Sequence, residues 1–153
     1  MSGISTDPFD LARFLEAQSS SYERALSELK AGEKRTHWIW FIFPRVAGLG
    51  FSTMAQRYAI RSRPEAEAYV AHAVLGSRLR ECVDALLAVE GRSAKQIMGD
   101  PDFRKLQSSI TLFDAVAPEE KRFAQLLAKY YGEQRDLRTL EFLSTSVESR
   151  LEG

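Results

Sequence analysis

Residues 37–44 read His-Trp-Ile-Trp-Phe-Ile-Phe-Pro, and no other stretch limits the fold as sharply. Its six consecutive apolar residues, Trp38 to Phe43, include both tryptophans of the chain. Most of such a run must leave water, whichever backbone it takes. Over six residues, periodicity does not separate a buried strand from a short buried helix. Pro44 ends the element either way, because proline lacks an N–H and fixes φ. A single strand would have no partner, since no other stretch alternates polar and apolar residues, so the reading is a short helix. In a helix, residues i and i+2 do not share a face, which sends Trp38 and Trp40 different ways. The helix runs into a Gly48-Leu49-Gly50 turn, and Ser52 is placed to cap a helix over about Thr53–Ile60.

Start and stop signals divide the rest of the chain. Asp7-Pro8 opens one helix and Asp100-Pro101 another, with Asp as cap and Pro in the first turn. Ser20-x-x-Glu23 reads as a capping box for a helix that ends at Gly32. Ser62-Arg63-Pro64-Glu65 starts the next, with His72 exposed on its face. Leu75-Gly76 marks a bend before a long amphipathic helix through Leu79, Val83, Leu86 and Leu87. A short helix over Ser93–Met98 closes at Gly99. Phe103, Leu106, Ile110 and Phe113 line one face of the helix after Pro101. Pro118-Glu119-Glu120 begins another, with Phe123, Leu126, Leu127 and Tyr130 inward, and Asp136 caps the last. The expectation is an all-α, single-domain multihelical array of about seven to nine helices over 7–144. A disordered segment, 1–6, precedes it, and a frayed polar tail, 145–153, follows it.

Composition narrows the function classes. A chain of 153 residues that is 44% hydrophobic builds one self-sufficient core. An apolar run of six residues cannot cross a membrane. The single cysteine, Cys82, excludes an internal disulfide and a thiolate cluster, and it reads as a small core residue. With no basic-then-apolar leader pattern, these features favour the cytoplasm. Net charge is zero, which argues against a nucleic-acid partner. That zero hides an asymmetry. Between Glu33 and Glu65 there is no carboxylate, while Lys34, Arg35, Arg45, Arg57, Arg61 and Arg63 fall in the window. Gathered by the fold, they would form an anion-attracting surface; otherwise acids from other helices pair with them.

The same window holds most of the candidate site. Lys34, Arg45 and a turn from Gly48 through Gly50 to Ser52 are suited to hold phosphate, the turn by free backbone N–H groups. Trp38 or Trp40 would stack a planar ring. His37 or Asp102 would act as acid or base. Asp102, Lys105 and Ser108 recur at helical spacing and share roughly one face, either solvated or lining a pocket. With Thr111, Lys105 and Ser108 would orient a sugar. Two isolated histidines make a zinc site unexpected, and no cofactor motif is present.

Four ordered motifs carry a resemblance: His37 to Pro44, Gly48-Leu-Gly-x-Ser52, Leu75-Gly-Ser-Arg-Leu79, and Asp102-x-x-Lys105-x-x-Ser-Ser-Ile-Thr-Leu-Phe113. The chain resembles, over about Asp7 to Leu143, a bacterial family known as domain of unknown function 1810. Genomes often label such sequences calpastatin, a disordered inhibitor, which does not fit the composition of a compact domain. The resemblance implies a multihelical fold and brings no established activity. Arg45 stands where the family has Gln, and Ala73 where it often has Pro. A weaker, fold-level similarity is to the helical family of riboflavin-pathway N-glycosidases and ADP-ribose-processing domains. Two functions are therefore in view. One is a binding or interaction module without chemistry. The other is a pocket enzyme or binder for an anionic nucleotide-like ligand, ADP-ribose or a phosphorylated heterocycle, with N-glycosidase-like hydrolysis.

Overall fold

Capping groups set the limits of most helices. The computed structural model describes residues 6–152, with side chains through 145, and it contains ten helices and no strand among them. The fold is all-α. Seven helices have eight or more residues and three are single turns of four or five. None is long and apolar enough to cross a membrane. Of the expected N-terminal segment, 1–5 lie outside the described residues. Of the expected frayed tail, 145–153, the backbone is described through 152, where it is helical, while residue 153 and the side chains beyond 145 lie outside the described residues.

Several boundaries differ from the sequence reading for local reasons. Helix α1 (Ala12–Ser19) begins well after Asp7-Pro8. Asp7 still caps it across a turn, its carboxylate accepting the N–H of Leu11 (2.7 Å) and Ala12 (2.9 Å). The capping box at α2 (Tyr22–Ala31) does not form: Ser21 is the N-cap and makes no side-chain capping bond. Glu23 then falls at N2, one position short of where the box needs it. Gly32 ends α2 in the left-handed conformation (φ 74°), as expected. The aromatic stretch forms α3 (Ile39–Ile42), and Ser52 caps α4 (Thr53–Arg57) by accepting the Ala55 N–H at 3.1 Å. Helix α4 stops short of Ile60 because that residue is held elsewhere. Its N–H donates to the Arg45 carbonyl (2.8 Å) and its carbonyl accepts the Ala47 N–H (2.9 Å), an isolated parallel bridge.

Helix α5 (Arg63–Ala71) is capped by Ser62. His72 is half-buried rather than exposed, and its Nδ1 accepts the N–H of Val74 and Leu75, taking a capping role at α6 (Leu75–Ala88). Gly76 lies inside α6, with no bend there. A Cβ at Gly76 would sit 2.1 Å from the Val70 carbonyl oxygen, so glycine is what lets α6 press against the end of α5. Helices α7 (Ala94–Met98), α8 (Asp102–Val116), α9 (Lys121–Tyr131) and α10 (Leu137–Glu152) complete the array.

Helix α8 is the axis: α3, α5, α7, α9 and α10 all pack on it. Surrounded this way, it buries its polar residues with the apolar ones, and Ser108 through Phe113 are all buried. A chain of ring contacts crosses the core from Phe41 to Tyr58, Phe14, Tyr69, Phe113 and Phe123, with centroids 5.0–6.2 Å apart. Two buried charges tie loops to this core. Arg13 bonds Glu65 at 2.7 Å and also donates to the carbonyls of Phe9, Asp10, Arg57 and Ala59. Glu28 accepts the N–H of Arg35 (2.8 Å) and Thr36 (3.0 Å), the Thr36 hydroxyl (2.7 Å) and the Trp38 indole N–H (2.9 Å).

Two outcomes are expected. Gly76→Ala should lower stability by about 3 kcal/mol or more, because the added carbon meets backbone that cannot move aside. Urea unfolding checks this, and a loss below about 1 kcal/mol would show that α5 and α6 separate easily. Burial raises the Glu28 pKa, but the bonds from Arg35, Thr36 and Trp38 outweigh it and hold the carboxyl at about 2. A depressed carboxylate stabilises above its unfolded pKa and loses that stabilisation as pH falls through the folded one. Wild type should therefore lose about 3 kcal/mol relative to Glu28→Gln between about pH 5 and pH 2. A difference that stays constant over that range would rule out Glu28 as the titrating group.

Candidate functional site

Helix α3 sends its two tryptophans apart. Trp38, just before the helix, is 1% exposed; its indole N–H is held by Glu28 and its ring lies against Phe43. Trp40 is half-buried on the other side, with the Lys105 ammonium 5.9 Å from its ring centroid. The Gln18 side chain donates to the Phe41 carbonyl at 2.7 Å, which fixes how this single turn sits on the core.

Two hollows open on the Trp40 side and share one wall. The first lies between α3, the turn at 45–50, α4 and α8, and is lined by Trp40, Phe43, Gly50, Ala55, Tyr58 and Lys105 among others. The second, of about 310 Å³, is lined by Leu49, Arg104, Gln107, Ser108, Asp136 and Arg138. Arg45 lines both. Its backbone is fixed by the bond from Ile60, but its side chain makes no hydrogen bond and no ion pair with any described residue. The guanidinium lies over Gly50, where a Cβ would come within 2.7 Å of Nη2. Burial holds Arg45 below the ordinary arginine range, while Asp136 and Asp102 act in the opposite direction. Arginine nevertheless keeps its charge at any working pH.

The other residues singled out in the sequence fall into three groups. Trp40, Gly50, Lys105 and Ser108 line one hollow or the other with Arg45. The Ser108 hydroxyl also bonds the Arg104 carbonyl at 3.2 Å. Asp102 sits beside the site, between Lys34 at 2.8 Å and Lys105 at 3.7 Å. The remaining residues are engaged in the structure or lie apart. Lys34 is committed to Asp102 and to the Thr36 carbonyl, and Trp38 is core. Gly48 (φ 94°) shapes the turn, and its carbonyl accepts a bond from Arg138 at 3.4 Å. The Ser52 hydroxyl caps α4. Thr111 is buried, donating to the Gln107 carbonyl (2.7 Å) and accepting the Asp136 N–H (3.0 Å). His37 is exposed and lines neither hollow.

The acid-free window also divides. Arg35 pairs with Glu33, Arg63 with Glu67, and Arg57 bonds Tyr58. The cations that line the hollows are instead Arg45, Lys105, Arg104 and Arg138, against the single carboxylate Asp136. Arg104, Gln107 and Ser108 lie at i, i+3 and i+4 on α8, a spacing legible in the sequence. Arg138 carried no such signal, because its place depends on α10 docking beside the turn. Cys82 is fully buried, and burial pushes its thiol up to about 12, which makes it a core residue and no nucleophile. Among the described residues, no three His, Cys, Asp or Glu side chains are grouped to hold a metal ion.

Comparison with known proteins agrees with this fold. The chain is similar to the crystal structure of the conserved hypothetical protein Rv1873 from Mycobacterium tuberculosis. Identity is 50%, the match covers 90% of this chain and 99% of that one, and the TM-score is 0.89. No curated protein matches the chain. A family model described as "Protein of unknown function (DUF1810)" matches residues 8–143. The chain therefore belongs to the DUF1810 family.

Proposed function

We propose that the protein is a binding module for an anionic, nucleotide-like small molecule held in the paired hollows around Arg45. One observation carries this reading: a half-buried guanidinium with no hydrogen bond and no ion pair to any described residue. Removing a charge from water without pairing it is costly, so such a group is best satisfied by a ligand. A guanidinium offers a fork of donors that matches a phosphate or carboxylate edge. Arg104 and Arg138 on the second hollow and Lys105 on the first add positive potential around it. Trp40 supplies an aromatic face for a ring. The surroundings support binding over hydrolysis. His37 lies apart from the hollows, and Asp102 is engaged by two ammonium groups, those of Lys34 and Lys105.

Thermal denaturation with inorganic phosphate, ADP, ADP-ribose and adenosine tests the proposal. The anions should raise Tm and adenosine should not. At a hundredfold excess over Kd the stabilisation is about 2.7 kcal/mol, a shift of roughly 5–10 °C for a chain of this size. Arg45→Gln should fold normally, since the side chain it replaces bonds no described residue, and should lose about tenfold or more in affinity for the anions. If none of the three anions shifts Tm at millimolar concentration, or if Arg45→Gln binds them as well as wild type, the reading is wrong.

A further inference from the structure

We infer that the first hollow is a ring-binding slot gated by Arg45, and that its ligand is a flat heteroaromatic with an acidic group on one edge. The assignment of the acidic group rests on the function proposed above; the slot rests on separate observations. Its floor is apolar and fixed. Phe43 is 1% exposed and Tyr58 7%, and Tyr58 is wedged between the rings of Phe14 and Phe41. Its side is the half-buried ring of Trp40, and its other polar members are two cations, Arg45 and Lys105.

The slot is nearly full in this state. About 290 Å³ lies between its walls, open solvent included, yet only about 10 Å³ admits the centre of a water molecule. That is room for about one water, and a ring needs more. The groups that can yield are the two cations. No described residue bonds the Arg45 guanidinium, and Lys105 is held by a 3.7 Å ion pair and by the face of Trp40. Gly50 is what lets the guanidinium lie where it does, since a Cβ there would meet Nη2 at 2.7 Å. Arg45 also borders the second hollow, so it can swing there without leaving the site. A ligand whose acidic edge draws Arg45 into the second hollow thereby vacates the slot for its own ring. Charge and planarity are then read together, and a neutral ring is refused while Arg45 remains in place.

The test uses adenine as a neutral ring and follows the indole N–H cross-peak of Trp40 by NMR. Wild type should show weak or no binding of adenine. Arg45→Ala, which empties the gate, should bind it about tenfold more tightly and move the Trp40 cross-peak. Adding Ala55→Leu to that variant fills the slot and should abolish the gain. Ala55→Leu alone should weaken ADP by a larger factor than inorganic phosphate. Equal adenine binding by wild type and Arg45→Ala, or no binding by either, would overturn the gated slot. A gain that survives Ala55→Leu would overturn it too. Tm shifts of the wild type with phosphate, ADP and ADP-ribose separate the two proposals: if none of the three shifts it, the anion reading is removed, while the adenine comparison still decides the slot.

Discussion

One buried carboxylate decides where the aromatic stretch goes. Glu28, on α2, accepts bonds from two backbone N–H groups, a hydroxyl and the indole of Trp38. Without it, the chain between α2 and α3 would carry unsatisfied donors into the interior. With it, Trp38 is anchored, and α3 has one place to form. Gln18 then seats the Phe41 carbonyl, Pro44 ends the turn, and Ile60 bonds the Arg45 carbonyl. The backbone of Arg45 is thus determined by a series of bonds that begins at Glu28, while its guanidinium is left over.

The contrast with Arg13 shows why that leftover group matters. Both are arginines withdrawn from water. Arg13 meets a carboxylate at 2.7 Å and four carbonyls, which satisfies the donors that burial would otherwise strand. Its role is to tie α1 to the segment between α4 and α5. Arg45 has none of these partners, although Asp136 lines the same hollow. Asp136 is engaged through the Thr139 hydroxyl and by Thr111 at its own N–H, both of which seat α10. Arg13 has a complete partner set, and Arg45, at the rim of the paired hollows, has no partner among the described residues.

Much of the architecture could be read from the chain because its signals are local. Gly32, Gly99 and Gly132 take positive φ where helices end, and Ser52, Ser62 and Ser93 cap the helices that follow them. The single turn at Trp38–Phe43 followed from six apolar residues and a proline. Errors arose where a cap acts at a distance. Asp7 reaches across a turn to α1, and a one-residue shift at Ser21 breaks the box expected of Ser20 and Glu23. Neither Arg13 nor Glu65 stood out, because a buried ion pair between residues 52 apart leaves no pattern in either segment. Likewise Ser108 and Thr111 read as polar groups open to a ligand, yet both are buried, because five helices surround α8.

For the site, the sequence determined the ingredients: an aromatic run, a glycine turn with Arg45 beside it, and a helix carrying Lys105 and Ser108. These follow from residue types and spacing within single segments. Tertiary structure decided which of them meet. It sent Trp38 inward to Glu28 and Trp40 outward to Lys105, placed Lys34 on Asp102, left His37 apart, and brought Arg104 and Arg138 to the wall of the hollow beside Arg45. The physical reason is that a charge's role depends on what lies within a few ångströms of it. That neighbourhood is made by packing α3, α8 and α10 together, which no single segment of the chain encodes.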